Sequence, residues 1–178
     1  MKKSYKVALG GLIMALCLVT MAITTVFPFA SFAIPAIAGV MLIILNLEFG
    51  KGWALLVYLG VAFLNFFISS DHTAIISFAV LLGYYPILKG VIESIRKPVL
   101  EWVLKMVCFN VAILIGVFLT ILIFGKEILL AEYSEFGKLG IGLFILACNG
   151  VFVVYDFALT KVITLIIIRF LPLLKRFH

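Results

Sequence analysis

Charge is scarce in this chain. Only 12% of its 178 residues are Asp, Glu, Lys or Arg, against about 25% in an average soluble domain. With 66% hydrophobic residues and a mean hydropathy of +1.34, too few polar side chains remain to cover a water-facing surface. That shortage excludes a water-soluble enzyme, a disordered regulator and a disulfide-stapled secreted domain. Cysteine is sparse as well: Cys17, Cys108 and Cys148 all fall inside apolar runs, as small buried hydrophobes do, and not in a disulfide or metal framework. The only histidines are His72 and His178, and neither has metal-ligand spacing such as H-E-x-x-H. A nucleophile elbow, a P-loop and paired carboxylates within one span are all lacking, so no catalytic residue, cofactor or metal is expected. Asp71 beside His72 reads as a turn cap between spans, with acid/base work the lesser alternative.

What is present is a series of apolar runs. Six can be marked, over 7–27, 32–47, 53–68, 73–88, 102–124 and from 139 onward. They are rich in Leu, Ile, Val and Ala without strand alternation, so helices are expected. Spans of about 20 residues each fit a single domain over 1–178. Residues 1–6 ahead of the first run resemble the start of a signal peptide, with Ser31-Phe32-Ala33 supplying small residues for cleavage. The run over 7–27 exceeds a signal core of about 7–15 residues, so a retained helix is expected.

Basic residues set the orientation. With the N-terminus inside, the cytoplasmic set is Lys2, Lys3, Lys6, Lys51, Lys89, Arg96, Lys97, Lys105, Arg169, Lys175 and Arg176, eleven in all, against Lys126 and Lys138 outside. By the positive-inside rule this predicts an all-α integral membrane protein with six spans and both termini cytoplasmic. The net charge of +6 belongs to that asymmetry and does not indicate nucleic acid. Pro86 predicts a kink, after which residues 87–97 read as an amphipathic stretch on the cytoplasmic surface. The last run is too long for one span, so 162–178 reads as a basic segment along the inner leaflet.

Polar side chains inside the spans are costly in lipid and should face protein or water. On the inner half, Asn46, Tyr84, Tyr85, Asn110, Asp156 and Lys161 are expected to form a polar clasp, or else a proton relay or substrate exit. Asp156 needs a partner, for which Asn110, Tyr84, Tyr85 and Lys161 are the candidates. If its role were purely structural, Asp156→Leu would be tolerated better than Asp156→Asn. On the outer half, Thr24, Thr25, Ser31, Asn65, Ser69, Ser70, Asp71, His72, Thr73, Ser77 and Asn149 are expected near a first loop carrying Phe27, Phe29 and Phe32. Phe27, Phe29, Phe32, Asn65, Asp71, His72 and Asn149 are the candidate binding residues for a small organic molecule, and a loop dipping into the headgroup region is the alternative. In the first helix, Gly11 and Ala15 share a face and would let another helix approach closely.

This combination resembles the substrate-binding S component of energy-coupling factor (ECF) vitamin transporters. The similarity rests on length, six spans with both ends inside, and a small-residue motif in the first helix. In that family the motif is Ala-x-x-x-Ala, here Gly11 and Ala15. The stretches Ala33-Ile34-Pro35-Ala36-Ile37-Ala38-Gly39 and Gly83-Tyr84-Tyr85-Pro86-Ile87-Leu88-Lys89 are similar to S-component-like bacterial membrane proteins. The resemblance implies an S-component-like bundle in a bacterial plasma membrane, a small vitamin-like ligand, and docking through Gly11 and Ala15 onto a scaffold subunit served by separate ATPases. No signature for riboflavin, thiamine, biotin, folate or cobalamin is found. The alternatives are a small membrane scaffold or assembly protein with no nutrient and, third, a membrane enzyme using Asp156 or the Asp71–His72 pair.

Overall fold

The structure, a computed structural model, describes residues 3–27, 30–125 and 138–170. A backbone in lipid must satisfy its own hydrogen bonds, and apolar runs of this length do so as helices. Helix α1 (Lys3–Ala22) runs into a 3-10 turn (Ile23–Thr25) and is followed by α2 (Ala33–Phe49), α3 (Lys51–Ile68), α4 (His72–Ser77), α5 (Tyr85–Glu93), α6 (Pro98–Phe124) and α7 (Lys138–Leu165). Two wide π-helical segments, Phe78–Leu82 and Ile166–Phe170, join α4 toward α5 and extend α7. The described residues contain no strand.

Five stretches are long and apolar enough to cross a membrane: Lys3–Thr25, Lys51–Ile68, His72–Glu93, Pro98–Phe124 and Ile145–Arg169. By length and composition this is a multi-pass membrane protein. Helix α2 is shorter, at 17 residues. It is about 26 Å long at 1.5 Å per residue, against about 30 Å of hydrocarbon.

Two cores share α2 as their common wall. Ile13, Cys17 and Met21 of α1 meet Ala38, Leu42 and Leu45 of α2 and Val57 and Val61 of α3. The opposite face of α2 presents Ile43 to Tyr85, Phe109, Phe152 and Leu159, drawn from α5, α6 and α7. A single residue links α2 to α3. Gly50 sits at φ 86°, a left-handed conformation that side chains disfavour.

The Phe78–Leu82 segment explains how the stretch His72–Glu93 fits. Its wider turn closes with Gly83 N–H donating to Phe78 C=O at 2.9 Å, which leaves the Ala79 carbonyl to accept from the Tyr58 hydroxyl. Gly39 on α2 and Gly83 let this segment lie backbone-close to its neighbours: a Cβ at Gly39 would stand 2.0 Å from the Leu82 carbonyl oxygen. Pro86 lies in the first turn of α5, where its missing N–H breaks no helical bond. Residues 87–97, read from sequence as one surface stretch, divide in two. The part within α5 packs inward with Lys89 fully buried, whereas Ser94, Ile95, Arg96 and Lys97 form an exposed turn. Residues 171–178 of the expected C-terminal basic segment lie outside the described residues.

Candidate functional site

The most concentrated chemistry lies where α5, α6 and α7 meet. Tyr85, Lys89 and Glu93 follow one another at helical spacing on α5, Lys105 comes from the start of α6, and Asp156 from α7. Both carboxylate oxygens of Asp156 are engaged. Oδ1 accepts from Lys89 Nζ at 2.5 Å and from the Tyr85 hydroxyl at 2.7 Å, and Oδ2 accepts from Lys105 Nζ at 2.9 Å. Lys89 also donates to the Asp156 backbone carbonyl at 3.2 Å. Glu93 Oε1 then accepts from both lysines, at 2.8 Å each. Two ammoniums and two carboxylates cancel, as they must in a medium that penalises net charge heavily. The side chains of Lys89, Lys105 and Asp156 are 0%, 6% and 3% exposed, while Glu93 is 38% exposed. Glu93 is therefore the one acid of the cluster that reaches the surface.

Of the six positions expected in the inner clasp, Tyr85 and Asp156 meet directly. Tyr84 packs edge-on against Tyr58, with ring centroids 5.9 Å apart, Asn46 is half-buried on α2, and Lys161 is exposed on α7. The lysines in the cluster are Lys89 and Lys105, both counted from sequence as surface charges. A signal for Lys89 was present: Tyr85, Lys89 and Ile92 fall on one helical face, and all three are buried. With partners stranded by an apolar replacement, the expected order of tolerance at Asp156 reverses, and Asn becomes the milder change.

Asn110 lies instead with Asn149. The two amides form a reciprocal pair across the α6–α7 seam, Asn110 Nδ2 to Asn149 Oδ1 at 3.0 Å and Asn149 Nδ2 to Asn110 Oδ1 at 3.3 Å. Interhelical polar pairs in membranes couple by about 0.6 kcal/mol on average and up to about 1.7. A double-mutant cycle of Asn110→Leu and Asn149→Leu, read by thermal unfolding in detergent, should give a coupling energy in that range. Additive losses would mean that the pair does not hold the seam.

At the opposite end, a smaller polar group gathers. Asp71 caps α4 by accepting from Ala74 N–H at 3.1 Å through Oδ1, and its Oδ2 accepts from Ser31 Oγ at 2.6 Å. Thr24 Oγ1 donates to the Met21 carbonyl at 2.8 Å and stands 3.1 Å from Ser69 Oγ. Since Thr24 has spent its proton, Ser69 is the donor of that pair. One turn before Ser69, Asn65 is 1% exposed, and neither its Nδ2 nor its Oδ1 has a hydrogen-bond partner among the described residues. A buried amide in that condition costs about 1–3 kcal/mol per unmet group. His72 is exposed and its ring meets Phe124 edge-on at 4.0 Å. Phe27 and Phe32 are exposed, and Phe29 lies outside the described residues.

On α1, Ser4, Ala8, Gly11 and Ala15 form an exposed strip of small residues. A Cβ at Gly11 would meet nothing within 4 Å, whereas one at the adjacent Gly10 would lie 2.9 Å from Trp53 Nε1. The helix thus turns one glycine into the bundle and the other out of it. Among the described residues, no group of three or more His, Cys, Asp or Glu side chains is placed to hold a metal ion. Compared with protein-family models, curated proteins and solved structures, the chain matches none.

Proposed function

We propose that this chain is a non-enzymatic membrane subunit that binds a small organic nutrient from the outer side, in the manner of an ECF S component. In this reading it crosses a bacterial plasma membrane six times, with α2 as the short sixth span and both termini cytoplasmic. The charge asymmetry along the chain supports that orientation. The observation that carries the reading is Asn65: a buried carboxamide with donor and acceptor both unmet, on the same end as Thr24, Ser31, Ser69 and Asp71. A ligand that both donates and accepts would satisfy it. The exposed Gly11 and Ala15 face would then dock on the helices of a scaffold subunit that couples to separate ATPases, since close backbone approach is what holds helices together in lipid.

Native mass spectrometry of the purified protein tests this. The wild type should carry a retained small molecule, and Asn65→Leu should lose it while unfolding at an equal or higher temperature, because the variant removes an unmet polar group. Wild-type protein free of any ligand, or an Asn65→Leu variant that keeps it, would overturn the reading. The second reading, a scaffold that holds other membrane proteins and binds no nutrient, draws on the same Gly11 and Ala15 face and predicts no retained molecule.

A further inference from the structure

The charged cluster has an asymmetry that a purely structural clasp does not require. Asp156 uses both oxygens and is closed off from the surface, whereas Glu93 contributes one oxygen, Oε1, to both lysines and is more than a third exposed. Lys89 has three donors: two go to Asp156 and the third to Glu93. Lys105 gives one donor to Asp156 Oδ2 and one to Glu93 Oε1, with its Nζ 5.4 Å from the centre of the Trp102 ring. If Glu93 swings out, each buried lysine keeps its bonding to Asp156 and loses the partner of one donor. Those two donors, one from each lysine, aim at the single point where Oε1 had been. The cluster then carries one excess positive charge, which a monoanion placed at that point would cancel.

We infer that Lys89 and Lys105 form a seat for a phosphate oxyanion, with Glu93 as its built-in, displaceable occupant. The exchange substitutes one charge-assisted set of hydrogen bonds for another, so it needs no new cavity at the lysines themselves. Glu93 is suited to leave. It is the final residue of α5, and the turn after it is exposed, with Arg96 held at φ 59°. The neighbourhood favours a lipid as the source. Arg96 and Lys97 lie beside the exposed apolar side chains Val91, Ile95, Val99 and Leu100, a mixture that sits at the level of phospholipid headgroups. Basic pockets between membrane helices recognise such headgroups, and a phosphodiester carries the one negative charge the seat lacks. This inference stands on the α5–α6–α7 cluster and is independent of any ligand at Asn65.

The test uses the full chain in detergent, with dioleoyl-phosphatidylglycerol as probe, dioleoylglycerol as its phosphate-free control, and sodium phosphate as the free-ion arm. Lipid retention is read by native mass spectrometry and stabilisation by thermal unfolding. The wild type should retain phosphatidylglycerol over dioleoylglycerol. Glu93→Gln, which removes the competing charge, should retain it roughly tenfold more tightly, about the worth of one charge-assisted hydrogen bond. Lys105→Met should lose the preference. Glu101→Gln makes the same charge change in the first turn of α6 and should leave retention at the wild-type level. An equal gain in Glu101→Gln would reduce the effect to net charge and overturn the seat. So would a Glu93→Gln variant that gains over wild type neither in retention of phosphatidylglycerol nor in stabilisation by sodium phosphate, which decides the matter even if Lys105→Met fails to fold. Stabilisation of Glu93→Gln by sodium phosphate beyond equal ionic strength of sodium chloride, with phosphatidylglycerol adding nothing, supports the seat and assigns its source to the free ion.

Discussion

Replacing Asp156 with leucine should cost about 3–5 kcal/mol, the usual penalty for breaking a buried ion pair from one side. The carboxylate receives Lys89, Lys105 and the Tyr85 hydroxyl, and all three donors lie out of reach of water. Leucine removes both carboxylate oxygens and leaves two ammoniums with Glu93 as their one counter-charge in the cluster, Lys89 keeping the backbone carbonyl of residue 156 as well. Asp156→Asn also leaves one positive charge in excess, yet its amide oxygen still accepts from two donors, so its loss should be about 1–3 kcal/mol. Thermal unfolding in detergent should rank wild type above Asp156→Asn and Asp156→Asn above Asp156→Leu. The triple variant Lys89→Met, Lys105→Met, Asp156→Leu should recover much of the loss, because the three buried charges go together and what is left unpaired is the partly exposed Glu93 and the Tyr85 hydroxyl. A triple variant no more stable than Asp156→Leu would show that the cost lies in packing and not in unpaired charge.

Gly39→Ala should be nearly as damaging for an unrelated reason. Its Cβ would stand 2.0 Å from the Leu82 carbonyl oxygen and 3.0 Å from the Leu82 carbonyl carbon. These are backbone atoms in a π-helical segment, so no rotamer change relieves the clash. Separating α2 from that segment would open the shared wall between the two cores. The loss should reach or pass the upper end of the about 1–3 kcal/mol typical of overpacking. Gly11→Ala is the matched control. Its Cβ meets nothing within 4 Å, and its unfolding should shift by no more than about 0.5 kcal/mol. Equal melting of the two variants would mean that α2 does not lie against Leu82 as described.

The helical class was legible because it follows from composition: apolar runs of this length, without strand alternation, have few other ways to satisfy their backbone. The pairing of Asp156 with Tyr85 follows from a similar rule, that a buried charge requires a partner. The lysines were a harder case. Lys89 and Lys105 sit near the ends of apolar runs, where the same side chain can extend to the interface or turn inward. Sequence spacing does not distinguish these, since the direction depends on which helix lies alongside. Asn110 and Asn149 fell on opposite halves of the chain's polar pattern, and the register of α6 against α7 brings them together.

What the sequence determined by itself is therefore the set of local and compositional facts: membrane residence, helices, the positions of breaks, and which polar groups would be too costly to leave alone. Tertiary structure decided the partners. It turned Lys89 and Lys105 into the bundle, placed Glu93 at the edge of their cluster, set Gly39 against a carbonyl, and left Gly11 facing outward. The physical reason is range. Backbone hydrogen bonding and transfer from water act within one segment and can be read from it, whereas charge neutralisation and close packing depend on atoms from helices distant in the chain, whose register is settled only when the bundle closes.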